Sequence, residues 1–215
     1  AWTPDSGSLV VWAGGKLNRV DLNTGKSSVI PFKIADTRGL IDPPRPAVAV
    51  APDTFETKMP RGAAISPDGK AVVFETLGKL WVKPMAGGQP RPLTNDDAAM
   101  EAYPSWSADG KRIAYVRWTD AGLGEVRTIA ASGGKSTALT PAGHYARPRF
   151  SPDGKTVVFE KDRGGYLSSP RASAEPGVYR VAATGGAMTQ ITGNGGNPQF
   201  GASNDRVFVM EGDAK

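Results

Sequence analysis

With 215 residues, no Cys, one His, and 26 Lys and Arg against 21 Asp and Glu for a net charge of +5, the chain can bury a sizeable core but cannot form disulfides or thiolate metal sites. No apolar run approaches the roughly 20 residues of a membrane-spanning helix. The basic residues are scattered singly, without runs carrying interleaved aromatics, so neither a membrane nor a nucleic acid is expected as partner.

In chain order, the first feature is W-T-P-D-S-G-S-L-V-V from Trp2, followed by L-N-R-V-D-L-N-T-G-K-S-S-V-I from Leu17 to Ile30. After an insertion at 33–64, the same pair of phrases returns as I-S-P-D-G-K-A-V-V-F from Ile65 and L-W-V-K-P-M-A-G-G-Q-P-R-P-L-T from Leu80 to Thr94. It returns again from Trp106 (W-S-A-D-G-K-R-I-A-Y) with Val126 to Thr140, and from Phe150 (F-S-P-D-G-K-T-V-V-F) with Val178 to Thr192. A degraded copy, F-G-A-S-N-D-R-V-F-V, starts at Phe200. The acidic position recurs at Asp5, Asp68, Asp109 and Asp153, with Ser203 in its place in the last copy. A phrase repeated every ~40–60 residues marks an array of structural units.

Each unit reads as four short strands. The first ends at the aromatic residue or Ile of the repeat, and S-P-D-G is a turn: Pro fixes φ, Asp bonds back to the backbone and Gly takes the left-handed conformation. The second strand is T-V-V-F-E or A-V-V-F-E, rich in β-branched and aromatic residues. The third, W-V-K-P-M or Y-R-V-A-A, ends at a Gly-Gly turn, and the fourth runs into Leu-Thr or Ile-Thr. No long window shows a 3.6-residue apolar period. The pattern predicts an all-β protein, a β-propeller of four-stranded antiparallel blades, with about four and a half blades present. The predicted blades are 1–32, 65–94, 103–140 and 145–192, with a half blade at 198–215.

Four and a half blades do not close, and both ends supply a second strand. The chain also opens inside a repeat at Ala1-Trp2-Thr3 without an initiator Met. The expectation is a piece of a longer chain, or a ring completed by a second copy.

In a four-strand meander the S-P-D-G and Gly-Gly turns fall on one face, and the remaining connections on the other. The latter are the long ones: 33–64, 95–102, 141–144, 193–197 and 161–177. Variable loops on a rigid scaffold are where binding resides. His144, Tyr145 and Arg147 sit where such a loop enters an innermost strand, with Glu101 and Tyr103 equivalent in the preceding blade and Asn197 in the last. Either these side chains hydrogen-bond loop backbone, or they line the channel mouth and touch a partner or substrate. Arg163 and Tyr166, with Arg171, project from the same face in the fourth-blade insertion.

Catalytic and cofactor chemistry is not expected of this chain. T-G-K-S at Thr24, G-G-K-L at Gly14 and G-G-K-S-T at Gly133 lack the first Gly of a phosphate loop, since Val20, Val10 and Ile129 hold that place. No G-x-S-x-G occurs, and His144 is the one available imidazole base. One His cannot supply an amidohydrolase metal set. The Asp of each S-P-D-G turn stands too far from the next to share a Ca²⁺.

The paired phrases W-S-P-D-G-K and G-G-x-x-x-x-L-T resemble the TolB-type propeller repeat over nearly the whole chain outside 33–64. The stretch from Lys58, K-M-P-R-G-A-A-I-S-P-D-G-K-A-V-V-F-E-T-L-G-K-L-W-V, is similar to propellers found in front of amidohydrolase domains in exported bacterial proteins. The resemblance implies a periplasmic or secreted protein without a cofactor of its own. It implies the non-catalytic propeller portion of a larger hydrolase, gating substrate access for a domain elsewhere in the same polypeptide. The alternative is a free-standing TolB-like scaffold that binds another protein.

Overall fold

Strand follows strand through the chain in a computed structural model, which describes residues 1–41, 44–45, 52–162 and 175–211. No helix occurs among them. The chain divides into two units, Ala1–Pro52 and Asp53–Lys215.

The first unit holds one antiparallel sheet of β1 (Ser8–Ala13), β2 (Lys16–Asp21) and β3 (Ser27–Val29). The expected innermost strand is reduced to a single bridge from Trp2 to Leu9.

The second unit contains three four-stranded meanders. They are β4 (Arg61–Ile65), β5 (Ala71–Thr76), β6 (Lys79–Pro84) and β7 (Arg91–Pro92); β8 (Met100–Trp106), β9 (Arg112–Thr119), β10 (Leu123–Ala130) and β11 (Thr137–Ala138); and β12 (Tyr145–Phe150), β13 (Thr156–Lys161), β14 (Gly177–Ala182) and β15 (Thr189–Thr192). A two-stranded sheet follows, β16 (Gly196–Phe200) with β17 (Val207–Met210). This is the repeating blade expected from the sequence, with two differences. Arg61–Ala64, assigned above to the insertion, belong to β4 and pair with β5. The fourth strands of the first two meanders are two residues long, and Pro92 in β7 cannot donate to a ladder.

The core lies between sheets. Along β9, Ile113 and Tyr115 pack against Val73, Leu80, Val82 and Leu93 of the preceding sheet. Ala114 and Val116 turn the other way, toward Tyr145, Phe150, Val157 and Phe159 of the next. The period-2 alternation of a strand explains the division: both faces of β9 are covered at its centre, so Ile113 to Val116 form a continuous apolar run rather than an alternating one. Phe159 is fully buried, with Tyr145 edge-on at 5.3 Å between centroids. Of the recurring aromatics, Phe150 and Phe159 join this core, whereas Trp2 in the first unit is largely exposed.

The repeated turn is a relay of hydrogen bonds. Ser66, Ser107 and Ser151 each donate a hydroxyl proton to the aspartate two residues on, at 2.6 Å, and accept the amide of Ala71, Arg112 and Thr156 at 2.9–3.0 Å. Asp68, Asp109 and Asp153 also accept the amides of Lys70, Lys111 and Lys155. Thr3 and Asp5 repeat the pattern in the first unit. The glycine after each aspartate in the second unit has φ between 68 and 72°, a conformation that disfavours any residue with a Cβ. In the last copy Ser203 holds the aspartate's place in the repeat, as expected, but its hydroxyl donates to Asp205, so the hydroxyl–carboxylate pair is shifted two residues along.

Candidate functional site

The first strands of the sheets in the second unit, β4, β8, β12 and β16, lie side by side. Each carries a β-bulge: the register shifts between Arg61 and Ala64, Ala102 and Ser105, Ala146 and Arg149, and Gly196 and Gln199. Inside each bulge one residue is left-handed: Gly62 (φ 56°), Tyr103 (57°), Arg147 (49°) and Asn197 (50°). For Tyr103 and Arg147 this costs on the order of 1–2 kcal/mol each, whereas Asn adopts the conformation more readily. A proline follows at 104, 148 and 198 in the three non-glycine cases, with Pro148 and Pro198 fully buried. Acceptors from the preceding sheet hold two of the bulges. The Tyr103 amide donates to Glu75 Oε2 at 3.1 Å, and the Asn197 amide donates to Glu160 Oε1.

Bulges re-aim side chains. Here they gather Tyr103, Arg147 and Asn197 around a cavity of about 430 Å³, lined also by Gly62, Ser105 and Arg149. Arg147 donates to Glu160 Oε2 at 2.7 Å, and its guanidinium lies 5.9 Å from the Tyr103 ring centroid. The Ser105 hydroxyl donates to the Pro148 carbonyl at 2.7 Å, tying β8 to β12. Burial, with Arg147 beside it, pushes the Arg149 guanidinium below its ordinary value.

Tyr103 also lines a second cavity of about 570 Å³, with Phe55, Met59, Leu77 and Met100 among its walls. These four apolar side chains are 61–65 % exposed. Leu77 stands at the tip of the two-residue β5–β6 turn with φ 55°, where Asn or Gly is the usual occupant. An exposed apolar cluster beside polar groups is the composition of an interaction surface.

Not all the residues expected at the mouth reach it. Glu101 is 2 % exposed; its carboxylate accepts the Leu80 amide at 3.0 Å and the Thr94 hydroxyl, stitching β8 to the sheet before it. Tyr145 is a core residue whose hydroxyl approaches Met188 Sδ at 3.8 Å, and burial pushes its phenol up. The His144 ring tilts against Trp118 at 5.1 Å, and its Nε2 is buried with no partner among the described residues. Glu101 and Tyr145 thus take the backbone-holding and packing alternative, while Tyr103, Arg147 and Asn197 are brought together. Arg163, Tyr166 and Arg171 lie outside the described residues. Sequence reasoning did not single out Arg149, Glu75 or Glu160. Glu75 and Glu160 follow the repeated V-V-F, which was the available signal.

No protein-family model matches the chain. An uncharacterized protein of Agrobacterium fabrum is 27 % identical over 222 residues, covering 99 % of this chain and 65 % of the relative. The Tol-Pal system protein TolB of Francisella tularensis is 33 % identical over 94 residues, covering 43 % of this chain and 20 % of TolB. The chain therefore spans at most about two thirds of the length of these relatives. A solved structure of a provisionally assigned TolB from Agrobacterium tumefaciens superposes with a TM-score of 0.59 at 23 % identity, over 99 % of this chain and 69 % of that one. The fold is that of a TolB-like β-propeller.

Proposed function

We propose that the chain is a non-catalytic interaction scaffold that binds a protein or peptide segment where Tyr103, Arg147 and Asn197 surround the cavity of the innermost strands. The observation that carries this reading is the left-handed bulge in three successive repeats, each with a polar or aromatic side chain, kept at a backbone cost at Tyr103 and Arg147. Tyr and Arg supply large, pre-organised contact area and dominate binding energetics elsewhere. The exposed Phe55, Met59, Leu77 and Met100 extend the same surface through Tyr103. An exported location, periplasmic or secreted, accompanies this reading and draws on the partial likeness to a Tol-Pal system protein.

The second reading, a propeller that covers an amidohydrolase-like domain of a larger polypeptide, draws on the resemblance of the stretch from Lys58 and uses the same surface against a covalently attached partner. A second copy of the chain is a third occupant of the same kind. Selection of peptides from a displayed library on the purified chain, followed by affinity measurement, tests the scaffold reading. Tyr103→Ala and Arg147→Ala are each expected to weaken selected peptides by roughly 30-fold, about 2 kcal/mol. Peptides that bind equally well to both variants would overturn it. Amide or ester turnover by the purified full-length gene product, altered by these substitutions, would favour the hydrolase reading.

A further inference from the structure

Two half-buried arginines of the second unit, Arg112 and Arg149, have no carboxylate partner among the described residues: Arg112 packs over the Phe150 ring at 4.9 Å and donates to the Gly154 carbonyl, whereas Arg149 lines a cavity. The other half-buried arginines meet carboxylates, Arg117 with Asp96 at 2.5 Å and Arg127 with Glu125 at 2.5 Å, and the exposed Arg147 meets Glu160 at 2.7 Å. Arg149 donates from Nη1 to the carbonyl of its own neighbour Pro148 at 3.2 Å, and among the described residues no carboxylate lies within 4.0 Å of it. Its position is not one where the blade needs a cation. The equivalent register positions, opposite the same point of the second strand, hold Ala64, Ser105 and Gln199. A partly desolvated charge without a carboxylate in contact destabilises the fold that carries it.

We propose that Arg149 is a carboxylate-binding residue, receiving a monoanionic carboxylate that enters the cavity between β4, β8, β12 and β16. The inference deepens the scaffold reading and rests on it for the source of the carboxylate. Glu160 contacts Arg147 and favours the Arg149 charge only from a distance, so no more than one positive charge remains for a ligand, which matches a carboxylate better than a phosphate dianion. The guanidinium fork fits a carboxylate with two parallel N–H···O bonds. Ala63, Ala64 and Pro104 on the cavity wall offer small apolar surface for the stem of an Asp or Glu side chain, or for a chain terminus.

The test follows the arginine Nε–H resonances of the folded chain while sodium acetate, sodium phosphate, Ac-Ala-Glu-Ala-NH₂ or Ac-Ala-Gln-Ala-NH₂ is added. The Arg149 signal is expected to shift saturably with acetate and with the Glu peptide, and not with the Gln peptide. Arg149→Gln is expected to weaken both at least tenfold when read by neighbouring backbone amides. A stronger response to the Glu peptide identifies a peptide as the source; a stronger response to acetate identifies a small free acid. A response no greater than that of the exposed Arg38 and Arg206, or tighter saturation by phosphate, would overturn the proposal. Without ligand, Arg149→Gln is expected to raise Tm by about 2–4 °C by removing an unpaired charge. A fall in Tm would mean that Arg149 serves stability instead. The two readings fail separately. Selected peptides that bind while Arg149 ignores acetate sink the carboxylate site alone, and saturation by acetate with no peptide selected sinks the scaffold alone.

Discussion

Asp153 accepts the Ser151 hydroxyl at 2.6 Å and the Lys155 amide at 3.0 Å, and Ser151 in turn accepts the Thr156 amide at 3.0 Å. The hydroxyl bond is the largest influence holding the Asp153 carboxyl below the usual carboxylate range, and Asp68 and Asp109 are held down in the same way. A carboxylate whose pKa is lower folded than unfolded contributes stability that is complete above the unfolded value and lost as pH falls through the folded one. Urea denaturation of Asp153→Asn should therefore differ from the parent at pH 7 and converge on it below about pH 4. A difference that persists unchanged into acid would show that ionisation of Asp153 does not matter. This part of the molecule was legible from the repeat, because the turn is chosen by local geometry that Pro, Asp and Gly state directly. The last copy was read less well. Its position was right, but the hydroxyl and carboxylate that pair, Ser203 and Asp205, sit two residues on.

At the scale of the strand, the bulges decide which residues reach the cavity. Glu101 and Tyr103 are two apart, as are Tyr145 and Arg147, so simple alternation puts each pair on one face. In each pair the first is buried and the second exposed, because the second residue sits in the bulge in the left-handed conformation. Sequence gave no warning at Tyr103 or Arg147. Neither residue type favours positive φ, and a following proline ordinarily calls for an extended conformation. Gly62 and Asn197, at the equivalent positions, were the only hints. Strand interiors normally favour Ala over Gly by roughly 0.5–1 kcal/mol. At Tyr103 the order should invert: Tyr103→Gly is expected to be more stable than Tyr103→Ala by about 1 kcal/mol in chemical denaturation. The ordinary order would contradict the strained bulge.

At the scale of the whole chain, one structural phrase is repeated, and the three four-stranded copies in the second unit bury their apolar side chains against one another. That is why fold class and blade pattern could be read from spacing, whereas the site could not. The blade is specified by turns and β-branched runs within one repeat. The cavity depends on what adjacent repeats do at one shared level, including bonds such as Asn197 to Glu160 that no single copy encodes. The claim that this level is the binding site is tested most directly by backbone amide chemical-shift mapping with a library-selected peptide. The account predicts that perturbed amides cluster at Gly62, Tyr103, Arg147 and Asn197. Perturbations concentrated at the opposite end of the sheets, on Asp68, Asp109 and Asp153 and their turns, would contradict it.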